Sequence, residues 1–246
     1  MRYRRIGITA LAAAALITGL PAAADEPRAV LELFTSQGCS SCPPADRLLG
    51  ELQQDPSLIT MSLAVDYWDY LGWKDTLALH GHSDRQRAYA HARSDREVYT
   101  PQVVVNGVMH VLGSDRAAIE RAITQTRRTA APLSLPLKLA IVGDTLTVNV
   151  SAANDNRGSG EVWLCPIIKE VPVAIGRGEN NGRKITYHNV VRRWVKLGDW
   201  MGKAEIFSVP VADFASSEID SIAVVVQSGV AASPGVMLGA AVAAIR

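Results

Sequence analysis

Cysteine is scarce in this sequence, which has three cysteines among 246 residues. Cys39 and Cys42 stand at C-x-x-C spacing, whereas Cys165 lies far from both. A zinc module built from cysteine alone needs a second pair at such spacing, and the sequence has none. The scarcity therefore excludes a four-cysteine zinc module and concentrates the sulfur chemistry on one dithiol.

The sequence also lacks an excess of charge of either sign. It contains 25 Lys and Arg residues against 24 Asp and Glu residues, a formal net charge of +1. Binding to nucleic acid or to an anionic membrane usually requires a basic excess. A glycine-rich phosphate-binding loop is missing as well. We therefore expect no nucleic-acid partner and no organic cofactor.

One apolar run stands out, and it lies in residues 1–24. Three arginines precede the apolar stretch Ile6–Leu20, and Ala22-Ala23-Ala24 matches a cleavage site of small residues. The stretch is too short to span a membrane comfortably, although a retained N-terminal anchor is the alternative. We predict a signal peptide, a periplasmic or secreted mature chain, and no membrane contact after cleavage.

The dithiol segment Cys39-Ser40-Ser41-Cys42 follows the strand-like run Ala29–Phe34 and precedes a helical pattern over Pro44–Gln53. A thiolate at the start of a helix is stabilised by the helix dipole and by free backbone N–H groups. This layout favours a redox-active pair, with Cys39 as nucleophile and Cys42 as resolving partner. Export to an oxidising compartment predicts a disulfide between them. Two alternatives remain, an inert structural disulfide and a metal site completed by His80, His82 or His91.

Two further positions fit a redox site. Pro101, preceded by Thr100, comes directly before the apolar run at Val103–Val105 and the Asn106-Gly107 turn. In thioredoxin folds a cis-proline at this point packs beside the disulfide, so we predict a cis peptide bond here. Glu32 lies on the first strand between two leucines, where a buried carboxylate can act in proton transfer. A glutamate bonded to backbone N–H groups or facing solvent is the alternative for Glu32.

Aromatic residues make up only 6% of the chain, yet four of the seven residues from Tyr67 to Trp73 are aromatic. We predict that Tyr67, Trp68, Trp73 and Tyr99 line a rim beside the dithiol that binds an extended peptide. The alternative is that these side chains belong to the core, with their polar tips hydrogen-bonded. The histidines are expected on the solvated surface, and no metal ligand is assigned.

The order of the segments predicts the fold class. Residues 28–129 alternate as β, α, β, α, β, β, α, which is the thioredoxin order, with a mixed sheet and helices on both faces. After Ala130-Ala131-Pro132 helical periodicity fades, and short apolar runs separated by turns predict an all-β sandwich. We therefore expect a thioredoxin-like α/β domain over 25–131 and a sandwich-like domain over 132–246.

The sequence resembles a family of exported bacterial proteins of unknown function with a thioredoxin-like fold. The likeness covers nearly all of the mature chain. It is carried by the segment ELFTSQGCSSCPPAD at 32–46, by YWDYLGW at 67–73, by YTPQ at 99–102, by RGEN at 177–180 and by NVVR at 189–192. The resemblance implies the fold and a periplasmic or secreted location, and it supplies no substrate.

These observations lead to one preferred function and two alternatives. We expect an exported thiol–disulfide oxidoreductase whose partners are protein or peptide thiols and disulfides. A non-enzymatic interaction module with a structural disulfide is the first alternative, and a metal-binding protein using the C-x-x-C pair is the second. The partner protein, the direction of electron flow, the oligomeric state and the role of Cys165 stay open.

Overall fold

The structure is a computed structural model, and it describes residues 27–153 and 158–245. The predicted signal peptide at 1–24 lies outside the described residues. Within the described part of the chain, no helix combines the length and the apolar character needed to cross a bilayer.

The first half of the described chain alternates strands and helices. Pro43 and Pro44 open the first helix, where their missing N–H groups cause no loss. Asn106 and Gly107 have φ angles of 54° and 73°, which close a tight hairpin as predicted. The elements are β1 (Ala29–Thr35), α1 (Pro43–Leu52), β2 (Leu58–Ala64), α2 (His80–Arg93), β3 (Gln102–Val105), β4 (Met109–Leu112) and α3 (Arg116–Thr129).

The second half is built from strands, apart from one short 3-10 turn at Val211–Asp213. The strands are β5 (Leu137–Val142), β6 (Thr145–Val150), β7 (Gly160–Ala174), β8 (Lys184–Val191), β9 (Val195–Trp200), β10 (Glu205–Pro210), β11 (Ser221–Val230) and β12 (Ser233–Ala244). The strand β7 is the longest of these, with 15 residues.

The predicted fold class, a thioredoxin-like domain followed by a separate sandwich, is wrong. One mixed sheet of nine strands contains elements of both halves, in the order β12-β11-β7-β8-β2-β1-β3-β4, with β9 paired to β7. The strands β10, β6 and β5 form a second, smaller sheet. Among the described residues, twelve strands and three α-helices make the protein mostly β. The division at residue 131 stays a prediction, and strands from either side of it share the large sheet.

The junction between the halves explains the error. Every residue of β1 and β2 is buried. The outer edge of β2 therefore needs a hydrogen-bonding neighbour, because buried backbone groups left without a partner are costly. β8 supplies it in parallel orientation, with Ser62 opposite Val190. The side chain of Asn189 adds a bond of 2.8 Å to the Thr60 hydroxyl.

Two apolar layers hold the first half on either side of the sheet. One layer joins Leu31 and Leu33 of β1 to helices α1 and α3. The other joins Val30 and Phe34 to Tyr89 of α2 and to residues of β7 and β11. Alternate residues of β1 therefore point to opposite layers. The small sheet packs separately against β7, β11 and β12.

Candidate functional site

The dithiol lies in the connection between β1 and α1. Cys42 is the residue that caps the start of α1, and Cys39 precedes it by one turn. The two sulfurs form a disulfide, which confirms that prediction. Cys39 is 3% exposed and Cys42 is fully buried. The sulfurs thus stand at the positive end of a helix, where a thiolate is favoured.

Thr100 and Pro101 lie directly beside the dithiol, as the sequence predicts. The carbonyl oxygen of Thr100 is 3.7 Å from Sγ of Cys39, and the Thr100–Pro101 peptide bond is cis. Gly113 packs against Pro101 and donates its N–H to the Pro101 carbonyl at 3.0 Å. A Cβ atom at Gly113 would lie 3.1 Å from Cβ of Pro101 and 2.8 Å from Cδ1 of Leu33. The backbone around Pro101 is therefore tightly packed.

Glu32 points away from α1. It is fully buried in the layer beneath α2, where Oε1 accepts from Nε of Arg85 at 2.6 Å. Its Oε2 accepts from the Tyr89 hydroxyl at 2.5 Å. Arg85 also donates to Gln227 at 2.8 Å and stacks 3.8 Å above the centre of the Trp194 ring. The Arg85 side chain thus links α2 to β1 and β11. The role of Glu32 in proton transfer stays a prediction.

Asp46 is a buried carboxylate on the dithiol side of β1. It follows Cys42 by four residues, which places both on one face of the helix, with Cβ atoms ~6 Å apart. Its Oδ1 accepts from the Thr35 hydroxyl at 2.8 Å, while Oδ2 has no hydrogen-bond partner. Burial raises the pKa of Asp46 to about 8, and the nearby Asp75 carboxylate adds to the rise. This carboxyl is therefore available to hold a proton near neutral pH.

The surroundings of Asp46 carry further buried polar groups. Asp75 accepts the N–H of Gln37 at 2.7 Å, and burial raises its pKa. The hydroxyl of Tyr187 on β8 is buried without a partner, and burial and then the charges of Asp46 and Asp75 raise its pKa. Sequence reasoning missed Asp46, although its place one turn after the second cysteine of the motif was a usable indication.

The predicted aromatic rim is only partly at the dithiol. Trp68 donates its indole N–H to the Thr100 hydroxyl at 2.8 Å. Trp73 donates to the side chain of Gln37 at 2.8 Å. These two tryptophans therefore flank the dithiol loop. Their binding role stays a prediction.

Tyr67 and Tyr99 lie farther along the same surface. The hydroxyl of Tyr67 donates to Gln86 at 3.1 Å, and that of Tyr99 lies 3.0 Å from Nδ1 of His110. All four predicted aromatic side chains are half-buried with bonded polar tips, and the Trp68 ring carries the exposed Tyr70 ring stacked on it. A role for Tyr67 and Tyr99 in binding stays a prediction.

A segment of the second half reaches the dithiol. We call residues 175–183, which connect β7 and β8, the β7–β8 loop. Nδ2 of Asn180 donates to the carbonyl oxygens of Gln37 and Cys39, at 3.0 and 2.8 Å. The carboxylate of Glu179 accepts the N–H of Ser40 at 3.2 Å. The loop closes the hairpin between the antiparallel strands β7 and β8, and nothing local in the sequence indicated its contact with Cys39.

In the described parts of the chain, no group of three His, Cys, Asp or Glu residues is arranged to hold a metal ion. His82 is buried rather than solvated, and its Nδ1 lies 3.0 Å from the Ala64 carbonyl. Burial lowers its pKa to about 4. His80 is exposed and lies 2.7 Å from Asp66. Cys165 is a free, buried thiol whose pKa burial raises.

Comparisons with known proteins supply a family and a fold. The family model for "Protein of unknown function (DUF1223)" matches residues 30–227, which confirms that the family is one of unknown function but not that it is exported or thioredoxin-like. A structural-genomics crystal structure from Agrobacterium tumefaciens is 32% identical with a TM-score of 0.79, and the match covers 89% of this chain and 95% of that one. HBP35 of Porphyromonas gingivalis shares the fold at 14% identity and a TM-score of 0.57, over 89% of this chain and 75% of that one. No curated protein matches.

Proposed function

We propose an enzymatic function for this chain, which belongs to the DUF1223 family of proteins of unknown function: it exchanges thiols and disulfides through Cys39 and Cys42. The observation that carries the proposal is the position of the disulfide at the start of α1, with the Thr100 carbonyl 3.7 Å from Sγ of Cys39. The proposed likeness to thioredoxin concerns only the chemistry of the dithiol and of the residues beside it, and not the fold.

The exchange runs in two steps with balanced electrons. A substrate thiolate attacks Sγ of Cys39 and forms a mixed disulfide with it, while the Cys39–Cys42 bond breaks and Cys42 leaves as a thiolate. A second thiolate of the same substrate then attacks the substrate sulfur bonded to Cys39. The substrate leaves as a disulfide and Cys39 leaves as a thiolate, so two electrons pass to the dithiol. The reverse sequence reduces a substrate disulfide, and the two reduction potentials decide the direction.

Asp46 handles the proton of Cys42 in this scheme. The thiolate of Cys42 forms in a fully buried position, where an uncompensated charge is unfavourable. The carboxyl of Asp46 lies one helical turn away and holds a proton at neutral pH, because its pKa is raised to about 8. It protonates Cys42 as the disulfide opens and accepts that proton when Cys42 attacks in the reverse direction.

We propose protein or peptide thiols and disulfides as substrates, and an oxidising compartment, periplasmic or secreted, as the location. The half-buried Trp68, held by Thr100, and the exposed Tyr70 stacked on it form an apolar surface next to Pro101. Such a surface suits an extended peptide segment. A dithiol kept as a disulfide fits an oxidising environment better than the cytosol.

A disulfide-exchange assay with a fluorescent peptide dithiol tests the proposal. We expect Cys39→Ala to abolish exchange, because it removes the sulfur that a substrate attacks and the remaining Cys42 thiol is fully buried. The matched control is Cys165→Ala, which removes the buried free thiol and should leave the rate unchanged. Equal rates for the wild type and Cys39→Ala would refute the enzymatic function.

A second candidate function is an interaction module in which the disulfide only stabilises the fold. The burial of both sulfurs favours it, since Cys39 is 3% exposed and Cys42 is not exposed. The reduction potential separates the two functions. A value below about −300 mV, together with no exchange in the peptide assay, supports the structural role, and a higher value supports exchange.

A further inference from the structure

We propose that the β7–β8 loop covers the dithiol and that Asn180 is the positioning residue that keeps this cover closed over Cys39. A substrate then reaches the sulfur only when the side chain of Asn180 releases the β1–α1 connection. The inference takes the reacting dithiol from the proposed function and adds a gate, formed by the second half of the chain, that controls access to it.

The contacts of Asn180 are those of a clamp. Its side chain is fully buried, and Nδ2 uses both of its hydrogens, one on the Gln37 carbonyl and one on the Cys39 carbonyl. Two carbonyl acceptors fix the orientation of the amide, because the oxygen Oδ1 cannot accept from either. Oδ1 itself is buried without a partner. The two hydrogen bonds of the Asn180 side chain thus both go to the dithiol loop, while its backbone carbonyl accepts the Arg183 N–H at 3.1 Å.

The rest of the β7–β8 loop is shaped to lie on the dithiol loop. Gly176 and Gly178 pack against Trp73, and a Cβ at Gly176 would be 3.2 Å from Cζ3 of that ring. Gly178 and Gly182 have φ angles of 74° and 77°, which keep the hairpin tight. Glu179 adds the contact to the Ser40 N–H at 3.2 Å. The β7–β8 loop is therefore a well-defined hairpin turn.

The burial of Cys39 limits the access of a substrate to its sulfur. The first sulfur of a redox dithiol must be reached by another sulfur, yet Cys39 is only 3% exposed. The exposed residues of the motif are Ser40 and Ser41, which carry no sulfur. In the proposed gate the β7–β8 loop, bonded to the Cys39 carbonyl and to the Ser40 N–H, contributes to this burial, so exchange requires the loop to move. Loop opening of this kind commonly controls access to buried sites.

The rate at which dithiothreitol reduces the Cys39–Cys42 disulfide tests the gate without a physiological substrate. Asn180→Asp is the sharpest variant, because it keeps the size of the side chain and removes both donors. We expect Asn180→Asp and Asn180→Ala to be reduced roughly 10- to 30-fold faster than the wild type, the change that two buried hydrogen bonds produce in an opening equilibrium. The matched control is Asn181→Ala in the same loop, because the side chain of Asn181 is exposed whereas that of Asn180 is buried.

Cys165 provides an internal standard for general loosening. Its thiol is buried in the core, so alkylation of Cys165 in the same samples reports unfolding elsewhere. Faster reduction in both Asn180 variants, with Cys165 still protected and Asn181→Ala at the wild-type rate, supports the gate. Unchanged reduction in the Asn180 variants overturns it, and so does acceleration that is matched by exposure of Cys165.

The failure of the gate and the failure of the proposed function give different results. If the protein has no exchange activity on peptides, the Asn180 variants still differ from the wild type in their reduction by dithiothreitol. If the gate is wrong, exchange activity and its loss in Cys39→Ala remain as proposed. The two experiments therefore judge the two proposals separately.

Discussion

Replacing Asp46 by asparagine should make the protein more stable at neutral pH and less stable in acid. Burial raises the pKa of this carboxyl from 3.8 to about 8, with Asp75 adding to the rise and the Thr35 hydroxyl and the charge of Arg47 opposing it. The hydroxyl of Tyr187 faces the same cluster and carries no charge at these pH values. The folded state therefore holds a proton that the unfolded chain releases above pH 4.

The size of the effect follows from this pKa difference. Between pH 3.8 and about 8 the folded state loses about 1.4 kcal/mol of stability per pH unit on account of Asp46, or about 4 kcal/mol by pH 7. The variant Asp46→Asn has no such loss and keeps an acceptor for the Thr35 hydroxyl. Its new amide donor lacks a partner, which costs about 1–3 kcal/mol at every pH. The variant should thus be less stable than the wild type at pH 4.5 and more stable at pH 7.5.

Urea unfolding of the oxidised protein at four pH values between 4.5 and 7.5 provides the measurement. The difference in the free energy of unfolding between variant and wild type should change by about 4 kcal/mol across this range. Titrating groups remote from Asp46 act equally in both proteins and cancel in the difference, whereas Asp75, whose charge adds to the raised pKa of Asp46, is coupled to the substitution. A difference that is independent of pH would refute the raised pKa and, with it, the proton role of Asp46.

Three further predictions concern the surroundings of the site. Arg85→Met should lower the free energy of unfolding by about 3–5 kcal/mol, because it leaves the buried Glu32 carboxylate without its cation. Urea unfolding measures this loss, and the double variant that also carries Glu32→Gln should recover part of it. Gly113→Ala should cost about 1–3 kcal/mol, because its methyl group would stand 2.8 Å from Leu33; thermal melts check it, and an unchanged melting temperature would contradict the tight packing. His82→Gln should reduce the loss of stability on acidification from pH 6.5 to about 4, because burial lowers the pKa of His82 to about 4 and the unfolded chain therefore takes up the proton first. Urea unfolding curves at pH 4.5 and 6.5 measure this loss, and an equal loss in both proteins would contradict the prediction.

Local patterns predicted the parts of the site that are close in sequence. The spacing of Cys39 and Cys42 before an apolar helix predicts a dithiol at a helix start, and the disulfide is present. The position of Pro101 before a strand and an Asn-Gly turn predicts its place near the dithiol, and its neighbour Thr100 lies 3.7 Å from Cys39. Such inferences succeed because capping, turn formation and strand alternation depend on residues within a few positions of each other.

Electrostatic environment was harder to predict. Glu32 and Asp46 are both carboxylates in largely apolar surroundings, and from the sequence only Glu32 was considered for proton transfer, beside the alternative of a glutamate bonded to backbone N–H groups or facing solvent. The fold gives Glu32 a cation in Arg85, 53 positions away, and leaves one oxygen of Asp46 without a partner. The partner of a buried charge is chosen by packing between elements, which local periodicity does not describe.

By itself the sequence determined the helices, most of the strands, the dithiol and its neighbouring proline, because these depend on short-range spacing. Only the tertiary structure decided that β2 pairs with β8 and that one sheet runs through both halves. It also decided that Asn180, 141 positions from Cys39, bonds to the Cys39 carbonyl. The physical reason is that buried strand edges and buried donors must find partners, and many distant segments satisfy that requirement equally well until the whole chain packs.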